Sequence, residues 1–115
     1  QELLLTHERL APFDDIRWFR PASGWFNRRM LQQLEQHGYR CILGSAYPED
    51  LLSSPAYLSQ HILFNTDPGS IIILHDGSME RARTVDVLEH VLPELQRSGY
   101  RVVTVSELLA SAQDY

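Results

Sequence analysis

The sequence contains no lysine; all ten of its basic residues are arginine. That excludes Schiff-base chemistry and phosphate cradling through a lysine. A single cysteine, Cys41, excludes an internal disulfide and any cysteine-rich zinc cluster. No apolar run approaches membrane-spanning length, and the sequence carries no signal-peptide pattern. Positive charge is not in excess. Fifteen acids against ten bases leave a net charge of −5 and a pI near 5.4. With the arginines scattered, this argues against a nucleic-acid partner. The first residue is Gln rather than Met, as expected of a processed or truncated piece. What remains is 115 residues, 43% hydrophobic and 22% charged, which reads as one globular segment, 1–115, without a second domain or a disordered linker.

Helical and strand patterns alternate along it. Residues 2–11 space Leu4, Leu5 and Leu10 as a helix does, and Ile16 to Phe19 is a short β-prone run stopped by Arg20-Pro21. Asn27 suits the cap of a helix that lines one face with Met30, Leu31 and Leu34 and ends at Gly38. Tyr39 to Leu43 predicts a strand, 55–65 a helix, and Asp67-Pro68-Gly69 a turn. Ile71-Ile72-Ile73-Leu74 fits a parallel strand covered on both faces. A long helix over 79–98 is expected to kink or break at Pro93. Tyr100 to Val105 predicts a last strand, and Ser106 the cap of a closing helix, 107–112. One internal echo supports this order. Leu34 to Arg40 and Leu95 to Arg101 share Leu, Gly, Tyr and Arg at matching positions, each at a helix-to-strand junction. The fold class is therefore α/β, with about four parallel strands in βα units linked by right-handed crossovers.

In parallel α/β folds, ligands gather at the carboxyl ends of the strands. Those ends carry Arg20 to Gly24, Gly44 to Asp50, His75-Asp76-Gly77 and Ser106, so Arg, Asp and His are expected on one rim. An imidazole at His75 can donate or accept a proton near neutral pH, or be a satisfied rim residue. Arg20, extended before proline, can clamp a carboxylate or form a surface ion pair. Asp50 can orient His75 or cap the helix after Pro55. His7, His37, His61 and His90 read as surface or packing residues of helices.

Three segments in this order carry a resemblance: Phe19-Arg20-Pro21-Ala22-Ser23-Gly24, Ser45-Ala46-Tyr47-Pro48-Glu49-Asp50 and Ile72-Ile73-Leu74-His75-Asp76-Gly77. Together they resemble the third, fourth and fifth motifs of the polysaccharide deacetylase (NodB-homology) family. Gly99 to Leu108 resembles that family's final strand. The resemblance implies the C-terminal half of an irregular βα barrel about twice this long. It implies removal of acetyl groups from an N-acetylated glycan polymer, or from related esters, with a divalent, zinc-like metal in the complete domain. His75 would then be the general acid that protonates the leaving amine. Asp50 would set its tautomer, Arg20 would hold the catalytic carboxylate, and a backbone N–H near Ser23 would help form an oxyanion hole. Leu74 would line the acetyl pocket. The resemblance also suggests work outside the cytoplasm.

The chain departs from the family pattern. Ser23 stands where an aromatic is usual, Tyr47 for an acid and Leu51 for a tryptophan, all in the substrate groove. The first motif, of Thr-Phe-Asp-Asp-Gly type, and the second, His-x-x-x-His, do not occur. Phe13-Asp14-Asp15 matches the first in letters only. This chain alone is therefore expected to bind no metal and to be inert, because activating the nucleophile is the metal's task. Its expected partners are the glycan and either the missing N-terminal half or a second copy of itself. The alternatives are a glycan-binding module without catalysis, a receiver domain, disfavoured by the absent lysine, and a structural α/β domain.

Overall fold

A computed structural model describes residues 2–47, 54–75 and 80–112, the side chains of 80–82 excepted. The chain divides into two compact units, Gln1–Leu43 and Gly44–Tyr115.

The first unit runs through helix α1 (Glu2–Leu10), strand β1 (Trp18–Phe19), a 3₁₀ turn (Ala22–Gly24), helix α2 (Arg28–Gln36) and strand β2 (Arg40–Cys41). Helix α2 starts where the Asn27 side chain accepts a hydrogen bond from the Met30 N–H at 2.9 Å, a cap that contributes about 1 kcal/mol. Its first turn holds Arg28 and Arg29 and no acid, the reverse of what the helix dipole favours. It ends at Gly38, whose φ of 76° suits glycine alone without strain. There the Tyr39 N–H reaches back to the Leu34 carbonyl at 2.8 Å, and Leu34 and Tyr39 are both buried. The Tyr39 hydroxyl meets His7 Nδ1 at 2.6 Å, which fastens α1 to the start of β2. Strands β1 and β2 pair in parallel, Trp18 opposite Arg40 and Phe19 opposite Cys41. The Arg40 guanidinium lies 5.2 Å from the Trp18 ring centroid, in reach of a cation–π attraction.

The second unit packs α3 (Pro55–Asn65) against α4 (Glu80–Arg97) and closes with α5 (Val105–Ala112). Ser54 caps α3 by accepting from the Tyr57 N–H at 3.2 Å, with Pro55 pre-set for the first turn. The core is Leu58, Ile62, Val87, Val91 and Leu95, with Leu63, Ile72, Leu74 and Tyr100 packed against it. Helix α4 passes through Pro93 without interruption. The proline removes one backbone bond, and the buried Val91 and Leu95 on either side hold both adjoining turns to the core. The end of α4 repeats that of α2: Gly99 has φ 86°, and the Tyr100 N–H reaches the Leu95 carbonyl at 2.9 Å. The echo in the sequence is thus a repeated helix stop, and Tyr100 is tied back as well, donating its hydroxyl proton to the Thr66 carbonyl at 3.2 Å.

Strands are fewer and shorter than expected. Among the described residues the only ladder is β1–β2. Ile72 makes one isolated parallel bridge, to Ala46. Residues 101–104 form no strand among the described residues, and α5 begins earlier than expected, at Val105. The cap there is Thr104, not Ser106: its Oγ1 accepts from the Glu107 N–H at 3.2 Å and its carbonyl from the Leu108 N–H at 3.0 Å. The spacing Thr104-x-x-Glu107 is that of a capping box, and it draws Val105, the expected end of the last strand, into the helix. The architecture is mixed, helices with a small parallel sheet, and fits part of a βα barrel. No described helix is long and apolar enough to cross a membrane.

Candidate functional site

Residues 44–46 and 71–73 run side by side. The Ser45 and Ala46 N–H groups donate to the Ile71 carbonyl at 2.9 and 3.2 Å, and the Ile73 N–H donates to the Ala46 carbonyl at 2.9 Å. The Ile71 N–H donates to Ser45 Oγ at 2.9 Å, which fixes the register from the side chain as well. Gly44 is what allows this approach, since a Cβ there would sit 2.2 Å from Ile73 Cδ1. Because the two segments are parallel, they leave the bridge at the same end: one through Tyr47, the other through Leu74 and His75. Tyr47 and His75 are exposed, and Leu74 is half-buried against the α3–α4 core. The His75 carbonyl accepts from the Thr84 hydroxyl, which ties this strand tip to α4. A backbone held on both sides of an exposed imidazole is what a positioned acid or base requires.

In the first unit the same logic applies to β1. Arg20 follows the strand, Pro21 is fully buried, and Ser23 is held at φ 58°, ψ 10°. That left-handed geometry in a non-glycine residue stores about 1–2 kcal/mol of strain. The Gly24 N–H donates to the Pro21 carbonyl at 3.1 Å and the Trp25 N–H to the Ala22 carbonyl at 3.5 Å. The turn therefore consumes those two donors itself. Arg20 is exposed and makes no ion pair among the described residues. Arg20 and Ser23 belong to the first unit; Tyr47, Leu74 and His75 belong to the second. Asp50 and Leu51 lie outside the described residues.

Among the described residues no three His, Cys, Asp or Glu side chains come together as a metal site. The histidines other than His75 are occupied locally. His7 meets Tyr39, His37 and His90 bond the carbonyls of Gln33 and Asp86 one turn back, and His61 lies beside Tyr57. The described donors do not fit a metal. A hollow of about 240 Å³ in the second unit lies between Thr66–Ile72 and Tyr100–Val105, and His75 does not line it. Sequence reasoning missed the close approach at Gly44 and the anchor at Thr84. A glycine beside a β-prone run signals such an approach; nothing in the local sequence points to Thr84, nine residues away from His75.

No protein-family model matches the chain. It is 41% identical over 95 residues to a peptidoglycan-N-acetylglucosamine deacetylase of Bacillus cereus, covering 79% of this chain and 44% of that protein. It is 34% identical over 98 residues to a chitooligosaccharide deacetylase of Azorhizobium caulinodans, covering 74% of this chain and 46% of the relative. Among solved structures, a CE4 family pseudoenzyme from Bacillus anthracis matches with a TM-score of 0.74 at 26% identity, over 84% of this chain and 33% of its own. The chain thus spans less than half the length of the curated relatives it matches.

Proposed function

The chain belongs to the polysaccharide deacetylase family, and we propose that it is the C-terminal portion of a metal-dependent domain that hydrolyses acetyl groups on a glycan polymer, inert as this chain alone. The observation that carries the reading is the parallel register that brings Tyr47 and His75 to one end, with the imidazole exposed and its backbone anchored through Thr84. In the roles implied by the family, His75 protonates the leaving amine as the acetyl carbonyl's tetrahedral adduct collapses. Asp50 holds the imidazole tautomer that delivers the proton. Arg20, exposed and unpaired among the described residues, holds the catalytic carboxylate of the missing part. Since Gly24 and Trp25 spend their N–H groups within the turn, the oxyanion contact is left to another backbone N–H near Ser23. Leu74 borders the acetyl methyl, and Ser23, Tyr47 and Leu51 border the glycan. The described residues do not fit the metal, so its ligands are assigned to the missing N-terminal half, which would dock on this chain; a self-associated dimer is the other way to cover its open sheet edges.

The test is His75→Ala in the full-length domain. Turnover on an acetylated glycan should fall by about 10²–10⁴-fold, the range of a lost general acid, with metal content unchanged. Loss of the metal together with activity would make His75 a ligand and refute its role as the acid. One observation favours a second reading, a glycan-binding domain without catalysis: a solved structure that the chain resembles is that of a CE4 family pseudoenzyme. The changes at Ser23, Tyr47 and Leu51 point the same way. The residues encoded before Gln1 discriminate. An Asp-Asp pair and a His-x-x-x-His favour the enzyme, and their absence favours the binder.

A further inference from the structure

Trp25 is 81% exposed. An indole left in water forgoes the burial that makes tryptophan a core residue, so its exposure needs a reason. Its backbone is not loose. The Trp25 N–H is bonded to the turn behind it, at Ala22, and two residues ahead the Asn27 side chain caps α2. The turn that presents it contains the strained Ser23, and strain of this kind gathers at binding and catalytic sites. The charge of the sequence on either side of it is of one sign. From Ile16 to Leu34 there are four arginines (17, 20, 28 and 29) and no acid, in a chain whose net charge is −5. Arg17 pairs with Asp15 at 2.8 Å. Arg20, Arg28 and Arg29 are exposed and make no ion pair among the described residues. Arg28 and Arg29 also stand in the first turn of α2, where the helix dipole disfavours them.

We propose that Trp25 is a stacking platform for a pyranose ring of the bound glycan, and that Arg28 and Arg29, three and four residues further along the chain, select a glycan strand that carries carboxylates over a neutral one. The flat indole face matches the C–H face of a pyranose, and a rigid aromatic loses little conformational freedom on binding. The guanidinium fork matches a carboxylate with two parallel hydrogen bonds. The inference rests on the reading that this chain faces a glycan, and it adds which surface does so and which class of glycan it prefers.

The experiment titrates the 115-residue chain with muramidase-solubilised peptidoglycan fragments, which carry carboxylates, and with neutral chitohexaose, while following the two indole N–H signals by NMR. The acidic fragments should bind at least tenfold more tightly. They should shift the Trp25 signal and leave that of Trp18, half-buried beside Arg40, in place. Trp25→Ala should weaken binding tenfold or more with an unchanged circular dichroism spectrum, Trp25→Tyr should retain most of it, and Arg28→Gln with Arg29→Gln should abolish the preference. Glycan binding that Trp25→Ala leaves untouched refutes the platform and spares the glycan reading. A preference that survives both arginine substitutions refutes the selectivity. Absence of binding to either ligand by the unaltered chain defeats the glycan reading and this inference with it. Burial of Trp25 against the rest of the full-length domain, seen as protection from acrylamide quenching without ligand, also overturns it.

Discussion

Replacing Gly44 by alanine tests whether the approach of residues 44–46 to 71–73 is what sets the His75 tip. The added methyl would meet Ile73 Cδ1 and Cγ1 at 2.2 Å and the Ile71 carbonyl oxygen at 3.3 Å. Contact that close forces Ile73 or its backbone to move. Overpacking of this kind costs about 1–3 kcal/mol. Gly44 is not among the glycines with positive φ, so alanine fits the backbone and recovers about 0.4–1 kcal/mol through the unfolded chain. The net loss should be about 1–2 kcal/mol, or on the order of 1 M in urea midpoint. Urea unfolding followed by circular dichroism measures it. Amide exchange locates it: the Ile73 N–H, bonded to the Ala46 carbonyl at 2.9 Å, should lose protection first. An Ile73→Ala background removes both 2.2 Å contacts and leaves only the tight one to the Ile71 carbonyl, so Gly44→Ala should cost far less there, with a coupling of at least about 1 kcal/mol. Equal cost in both backgrounds, or no cost in the first, would refute the argument.

Ile62 is fully buried between α3 and α4, so Ile62→Ala should cost about 2–5 kcal/mol in the same assay. Phe64, two residues on and 90% exposed, should tolerate alanine to within about 0.5 kcal/mol. At Gly99 a methyl would meet nothing within 4 Å, so Gly99→Ala isolates the backbone cost of φ 86°; about 1–2 kcal/mol is expected, and Gly99→Asn should recover part of it. If alanine and asparagine cost the same, left-handed geometry is not the cause.

What the sequence made legible was local. Helix 55–65 was readable in its span, although its cap is Ser54 rather than Asp50, and α2 was readable because Asn27 and Gly38 bracket it. Repetition of Leu-x-x-x-Gly-Tyr-Arg announced two identical helix stops. Strands are a different kind of property, since a residue belongs to one only if a partner lies alongside. The isoleucine run has a partner in Ala46 at a single bridge, and residues 101–104 have none among the described residues. At the last helix Ser106 was the expected cap, and the bond from the Glu107 N–H to Thr104 Oγ1 places the cap two residues earlier. For the candidate site, the order of Arg20, Tyr47 and His75 along the chain was readable. The reason they stand at strand tips was not, because Gly44 against Ile73 and Thr84 against His75 are contacts between segments that the sequence separates.

A positioned general acid accounts for about 10²–10⁴ of a rate enhancement, whereas enzymes reach about 10⁶–10¹⁷. Even with His75, Ser23 and Arg20 placed as proposed, this chain would hold the smaller share, because an acid accelerates collapse of an adduct and does nothing to form it. Forming it needs an activated water, and the described residues offer no cluster of three metal-binding side chains to activate one. On the proposed reading, the 115-residue chain should release no acetate above background from an acetylated glycan, and His75→Ala should change nothing in it while lowering turnover by the full-length domain about 10²–10⁴-fold. Acetate release by the chain alone that disappears with His75→Ala would mean that it carries its own nucleophile, and the assignment of His75 as an acid waiting for the other half would be wrong.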